Sequence, residues 1–422
     1  VRPAARRTAR RLSGAGLAAA LLLPGAAAAQ AAPRPQLPAA DGKADGKPDA
    51  KKGQELPVMP SALDPRAADG ACTPASGVKA KTQDWSRQRL DLDRTHRHGA
   101  GAGITVALID TGVAPGAAGL DGRVTAQGAA GEDCVGRGTF LAGLIAGNGG
   151  DEPRLAGVAP EARILALRGT DARGEASPEL VVAAVREATA ARAQVIAVTA
   201  AFPQRDAALT RAVEEARRAG AVVVAAATPD VPRNATGEIP SRTYWPAGEP
   251  GVLPVADMLP GGTRPEGSVP TEGIALMAPG AGVVSGGPRG DGHYLGGGVP
   301  VATAYVAGAA ALVRAALPDA PPDAVVRRLT ATAYPADVPQ LDPYAAVTKA
   351  LDPAAAAPGP ERAAAPLTVR DTSAADRATG RATVFVLLGS AGVLAVLWAG
   401  YAFARARARR WRPARAGAAG EV

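Results

Sequence analysis

Short apolar runs bounded by glycine, proline or charged residues recur through the middle of the chain. Ile104 to Ile109 (ITVALI) is the first, and Arg163 to Leu167, Gln194 to Val198 and Ala221 to Ala225 resemble it. Each is too short for an independent helix and reads as a strand. Helical patterns lie between them. Ser177 followed by Pro178 is an N-cap with proline at the first helical position, and ELVVAAVREATAARA continues it. Asp206 to Ala219 reads as a second helix, stopped by Gly220. Near-continuous apolar strands alternating with helices predict a parallel sheet covered on both faces, an α/β fold. Ligands on such sheets gather at the carboxyl ends of the strands, where Asp110 stands.

The flanks follow other patterns. Arg2, Arg6, Arg7, Arg10 and Arg11 precede an apolar run from Gly14 to Leu23 and then small residues with A-x-A points near Ala29 and Ala31, so residues 1–31 read as a signal peptide. The general secretory route is favoured, although Arg10-Arg11 weakly permits twin-arginine export. Residues 32–74 form a Pro/Ala-rich extension without enough large apolar residues to offset its ordering entropy. Residues 351–381 read as a second Pro/Ala-rich and polar segment, a tether. Residues 382–404 carry no charge and are long enough to span a bilayer, with Trp398 and Tyr401 toward one border. The arginines of the basic tail, residues 405–422, place that tail in the cytoplasm and the large domain outside a cell membrane crossed once.

The 422 residues, 47% of them hydrophobic, suffice for one large domain with appendages. The net charge of +8 resides in the two arginine-rich ends, and the remainder is close to neutral, which argues against a nucleic-acid partner. The two cysteines, Cys72 and Cys134, favour a disulfide in an exported chain, with two buried thiols as the alternative. Three histidines, none at ligand spacing with a cysteine, give no reason to expect a metal, and no cofactor is expected.

Four segments carry a specific resemblance. VALIDTGV (Val106 to Val113), DCVGRGTFLAGLIAG (Asp133 to Gly147), AAATPD (Ala225 to Asp230) and GGGVPVATAYVAGAAALVRA (Gly296 to Ala315) resemble, in family order, the aspartate, histidine, oxyanion and serine motifs of the subtilisin-family serine peptidases. GVAPEARILALR, Gly157 to Arg168, is similar to the strand region that follows the histidine motif. The resemblance implies a subtilisin-like three-layer fold over residues 75–350, with Asp110 at the position of the triad aspartate. Arg137 stands where the histidine belongs, Pro300 where the serine belongs and Pro229 where the oxyanion asparagine belongs.

The order of extension, cysteines, domain, tether and span resembles the mycosins, membrane-anchored subtilases associated with type VII secretion. LDPYAAV, Leu341 to Val347, is similar to the way their catalytic domain closes. The resemblance implies that Cys72 and Cys134 pair and pin the extension to the domain.

Serine proteolysis needs an attacking hydroxyl, an imidazole to accept its proton and donors aimed at the oxyanion. Arg137 stays protonated, Pro300 has neither hydroxyl nor backbone N–H, and Pro229 offers no donor. A charge-assisted bidentate pair between Arg137 and Asp110 is expected in place of the imidazole contact. No substitute triad stands out. His293 is expected in a solvated loop, His96 and His98 on the surface, Ser285 and Ser268 without an aligned base, and Thr303 and Tyr305 as packing residues. The expectation is an inactive homologue that acts as a scaffold or stabiliser of the type VII secretion membrane complex. The alternatives are an active endopeptidase processing exported proteins and a peptide-binding module using the old cleft.

Overall fold

A computed structural model of the chain describes residues 55–64, 71–230, 239–351 and 373–409. The expected signal peptide, most of the extension, most of the tether and the tail beyond Arg409 lie outside the described residues.

The strands are β1 Thr105–Asp110, β2 Val124–Ala126, β3 Arg163–Arg168, β4 Val195–Val198, β5 Val222–Ala226, β6 Leu253–Met258, β7 Leu276–Pro279, β8 Val283–Gly286 and β9 His293–Gly296. The helices are α1 Trp85–Arg89, α2 Leu92–Thr95, α3 Arg137–Ala146, α4 Pro178–Ala190, α5 Ala207–Arg218, α6 Val299–Ala316, α7 Pro322–Ala331, α8 Pro343–Thr348 and α9 Ser373–Ala408. Seven strands form one sheet in the order β2-β3-β1-β4-β5-β6-β7. Every neighbouring pair in it is parallel. β8 and β9 make a separate antiparallel ribbon.

Alternation along the strands explains the two covering layers. Val106, Leu108, Val195, Ala197, Val222 and Val224 face the core that α3 and α6 share. Ala107, Ile109, Ile196, Val198, Val223 and Ala225 face the other core, beneath α4 and α5. α6 is buried from Val299 to Val313, which explains its nearly unbroken apolar sequence. α4 and α5 start where side-chain caps are available. Ser177 accepts from the Leu180 N–H and Asp206 from the Leu209 N–H.

The segment before β1 is fixed to the domain by several ties. Cys72 and Cys134 form the expected disulfide, with their Cα atoms 4.5 Å apart. Thr73 N–H donates to the Cys134 carbonyl at 2.9 Å. Arg87 is fully buried, pairs with Asp84 at 2.7 Å, and also donates to the carbonyls of Leu155, Ala156 and Val284. Each charge therefore has partners in a place where an unpaired one would be costly.

Two expectations need correction. His293 opens β9 instead of sitting in a solvated loop; it is half-buried, and its Nδ1 accepts from the Ala80 N–H at 3.0 Å. Strand pairing with β8 and the segment at Ala80 close over it, and burial lowers its pKa. The boundary expected at residue 381 also moves, because α9 already begins at Ser373. Within α9, the stretch Arg381–Ala408 is long and apolar enough to cross a membrane, with Phe385 and Trp398 each more than 70% exposed.

Candidate functional site

Asp110 is the last residue of β1, at the carboxyl edge of the sheet, and it is 1% exposed. Its carboxylate accepts from the Thr111 N–H at 2.7 Å and from the hydroxyl of Thr199, which follows the adjacent strand β4. The third partner is Arg137, whose Nε donates to Oδ1 at 2.9 Å and Oδ2 at 3.2 Å. The pair is therefore made by one shared N–H instead of the expected parallel fork. Nη1 donates to the Ser61 carbonyl at 2.6 Å and lies 3.9 Å from the Asp230 carboxylate.

Arg137 is placed by the start of α3. Asp133, four residues earlier and buried, accepts from the N–H groups of Gly136 and Thr139 and from the hydroxyls of Thr111 and Thr139, all within 2.8 Å. Gly136, at φ +90°, turns the chain into the helix, so Arg137 is its first residue. α3 also lies tight against the turn after β1. A Cβ on Gly138 would come within 1.9 Å of the Gly112 carbonyl oxygen, so only glycine fits there. This close approach brings the Arg137 side chain to Asp110.

Pro229 follows the end of β5 and is half-buried, directly before Asp230. Pro300 is buried in the first turn of α6, behind the N-cap Gly298, where the lack of an N–H costs the helix nothing. The two proline segments meet at Gly298, since a Cβ there would lie 2.8 Å from Asp230 Oδ1 and 3.5 Å from Pro300 Cδ. Asp110, Arg137, Asp230 and the start of α6 thus form a continuous chain of neighbours, and Asp230 links it to Pro229.

The electrostatics hold the cation in place. Burial works against the charged form of Arg137, but Asp110 and Asp230 outweigh it and raise the pKa. Burial raises the pKa of Asp230 and its neighbour Asp110 adds to the rise, while Arg137 opposes them. Burial likewise raises that of Asp133 despite its four hydrogen bonds. An arginine held this way cannot accept a proton near neutral pH. The guanidinium can bind carbonyl or carboxylate oxygens, as it does with Asp110 and Ser61.

The other candidates do not converge on it. Ser285 donates to the Phe140 carbonyl, Ser268 to the Pro265 carbonyl, and Thr303 to the Val299 carbonyl. Tyr305 meets Ser86 at 2.7 Å, and burial lifts its hydroxyl well above the usual range. His96 is half-buried and lies 3.1 Å from the Val158 carbonyl, and His98 sits edge-on to Tyr344. Sequence reasoning missed Ser61, Thr199 and Asp230 as members of the site. Asp230 closes the quoted AAATPD segment, but nothing in the sequence aims it at Arg137.

A parallel seven-stranded sheet with an aspartate at the edge of β1, a capped helix bearing Arg137 and a long buried helix opened by Pro300 define a class. The chain belongs to the subtilase family, whose family model matches residues 101–374. Within that family it is similar to the mycosins. It is 31% identical over 422 aligned positions to mycosin-4 of Mycobacterium tuberculosis, covering 87% of this chain and 90% of the relative. It is 30% identical over 357 positions to mycosin-3 of the same organism, covering 66% of this chain and 76% of the relative. Among solved structures, it superposes with a TM-score of 0.56 and 29% identity on the MycP3 protease from the type VII (ESX-3) secretion system, covering 71% of this chain and all of that one.

Proposed function

We propose that this chain is a non-catalytic mycosin-type subtilase homologue, held to the cell membrane by α9 with its large domain outside. It acts by binding, as a scaffold or stabiliser of a type VII secretion membrane complex. One observation carries the inactivity: the buried triad-position carboxylate Asp110 is occupied by the Arg137 guanidinium at 2.9 Å, so no base is available where the family keeps its histidine. Pro300 supplies neither a hydroxyl nor a backbone N–H at the start of α6, and Pro229 supplies no amide, so the nucleophile and its oxyanion donors are also missing. In subtilisin itself, loss of the serine or histidine alone lowers turnover about 10⁶-fold, and the acceleration that survives comes from the oxyanion hole and binding. Here the oxyanion contribution is gone as well.

Similarity to mycosins, and to a structure from a type VII secretion system, supports the secretion assignment. The exposed apolar surface of α9, followed by Arg405, Arg407 and Arg409, supports the anchor and its orientation. The test is exposure of the purified full chain to a serine-directed phosphonate probe, with co-purification of membrane proteins in parallel. The expected result is no covalent labelling and recovery of secretion-channel components. Stoichiometric labelling would favour the endopeptidase.

A further inference from the structure

From residue 381 to residue 409, every position is exposed except Ala402 and Ala406, which are half-buried. The cause is local. Trp398, Tyr401, Arg405 and Arg409 rim a hollow of about 580 Å³ on the surface of α9, and the two alanines line it between them. Residues three and four apart on a helix are neighbours, and 398, 401, 405 and 409 form such a series. Arg407, two positions from Arg405, stands roughly on the opposite side of the helix.

The rim has an apolar end and a cationic end. Trp398 is 72% exposed and Tyr401 60%, so both rings are free to meet lipid. Arg405 Nη1 donates to the Tyr401 hydroxyl at 2.5 Å, and its guanidinium carbon lies 5.8 Å from the ring centroid, so Tyr401 orients this cation. Between Arg377 and Gly420 the sequence contains no acidic residue, so no carboxylate near them in the chain neutralises Arg405 or Arg409. Arg405 and Arg409 stand one and two turns beyond Tyr401, about 6 and 12 Å along the axis. On the proposed crossing, the aromatic pair marks the hydrocarbon border, and the headgroup layer beyond it is about 5–7 Å deep. Arg405 then comes level with the lipid phosphates. The Arg409 side chain leans back toward them, because helical side chains tilt toward the N-terminus.

We infer that this hollow is a site for one anionic phospholipid of the cytoplasmic leaflet. Arg405 and Arg409 donate to its phosphate oxygens, and the small side chains of Ala402 and Ala406 let the glycerol approach the helix. The first methylenes of an acyl chain lie against Trp398. A free phosphate would leave this apolar half unused, so the occupant is a lipid. The inference rests on the proposed membrane anchor and adds to it the chemistry of one partner within the membrane.

The probe is phosphatidylglycerol. The full chain is reconstituted in nanodiscs of equal parts phosphatidylglycerol and phosphatidylcholine with the same acyl chains, then moved to neutral detergent. Native mass spectrometry counts the lipids it retains. The native chain should retain phosphatidylglycerol over phosphatidylcholine by about thirtyfold. Arg405→Gln and Arg409→Gln should each lower that ratio about fivefold, whereas Arg407→Gln, the same charge change on the opposite face, should alter it by less than about twofold. Glycerophosphoglycerol, the headgroup without its chains, should not displace the lipid. Equal retention of the two lipids by the native chain, or an effect of Arg407→Gln as large as that of Arg405→Gln, would overturn the site. Displacement by glycerophosphoglycerol would overturn the assignment to a lipid. Flotation with vesicles of phosphatidylcholine alone separates the two readings: a chain that does not float contradicts the anchor, whereas one that floats but shows no preference for phosphatidylglycerol contradicts only the lipid site.

Discussion

Arg137→Met breaks the buried pair from the cationic side and leaves Asp110 charged at 1% exposure. Two bonds to the carboxylate remain, from the Thr111 N–H and the Thr199 hydroxyl, but no cation touches it. Removing one partner of a buried pair costs about 3–5 kcal/mol. The retained bonds and the 14% exposure of the arginine side chain place this case at about 3 kcal/mol, the low end of that range. For a domain of this size, that lowers the unfolding temperature by about 6–12 °C. The double variant Asp110→Asn/Arg137→Met removes both charges and should recover about 2 kcal/mol relative to additivity. Urea unfolding of the native chain, both single variants and the double variant closes the cycle without adding ionic screening. A single variant within about 0.5 kcal/mol of native, or strict additivity in the cycle, would refute the view that the pair replaces a catalytic contact with a structural one.

Two further effects follow from the same geometry. Removing the disulfide as Cys72→Ser/Cys134→Ser opens a loop with a sequence separation of 62 residues and should cost about 4 kcal/mol in the chain-entropy model, read as a lower urea midpoint under oxidising conditions. Asp230 has a pKa raised by burial and by Asp110, so the folded state holds its proton more tightly than the unfolded chain does. The stability it contributes is present below the ordinary value of 3.8 and is lost as pH rises through the elevated folded value. Asp230→Asn should therefore gain stability relative to native as pH rises from 3.8 through that window, seen as a pH-dependent shift in the difference of unfolding temperatures; a difference that stays constant across the window would contradict this.

The sheet was legible because each buried strand is an apolar run closed by punctuation. The expected Ile104 to Ile109 and Ala221 to Ala225 differ from β1 and β5 by a single residue at each end. Caps at Ser177 and Asp206 fixed where α4 and α5 begin, because a side chain that accepts a helix N–H is a local signal. β6 to β9 were not singled out, since short strands interrupted by proline and glycine carry little periodicity. In the site, Asp110 and Arg137 were legible through motif order and Asp110 also through strand position. Ser61 was not, because it lies in a segment whose composition reads as unable to fold alone and whose order comes from contacts with β9 and Arg173. His293 was misplaced for the same reason: its burial comes from pairing between β8 and β9, which the glycine-rich stretch around it conceals.

The central claim is that this subtilase framework no longer cuts peptide. The most direct measurement is hydrolysis of a fluorogenic peptide library at neutral pH by the purified full chain and by its Asp110→Asn variant. The account predicts that both release fluorophore at the rate of buffer alone. Turnover by the native chain that disappears on changing Asp110 would contradict it.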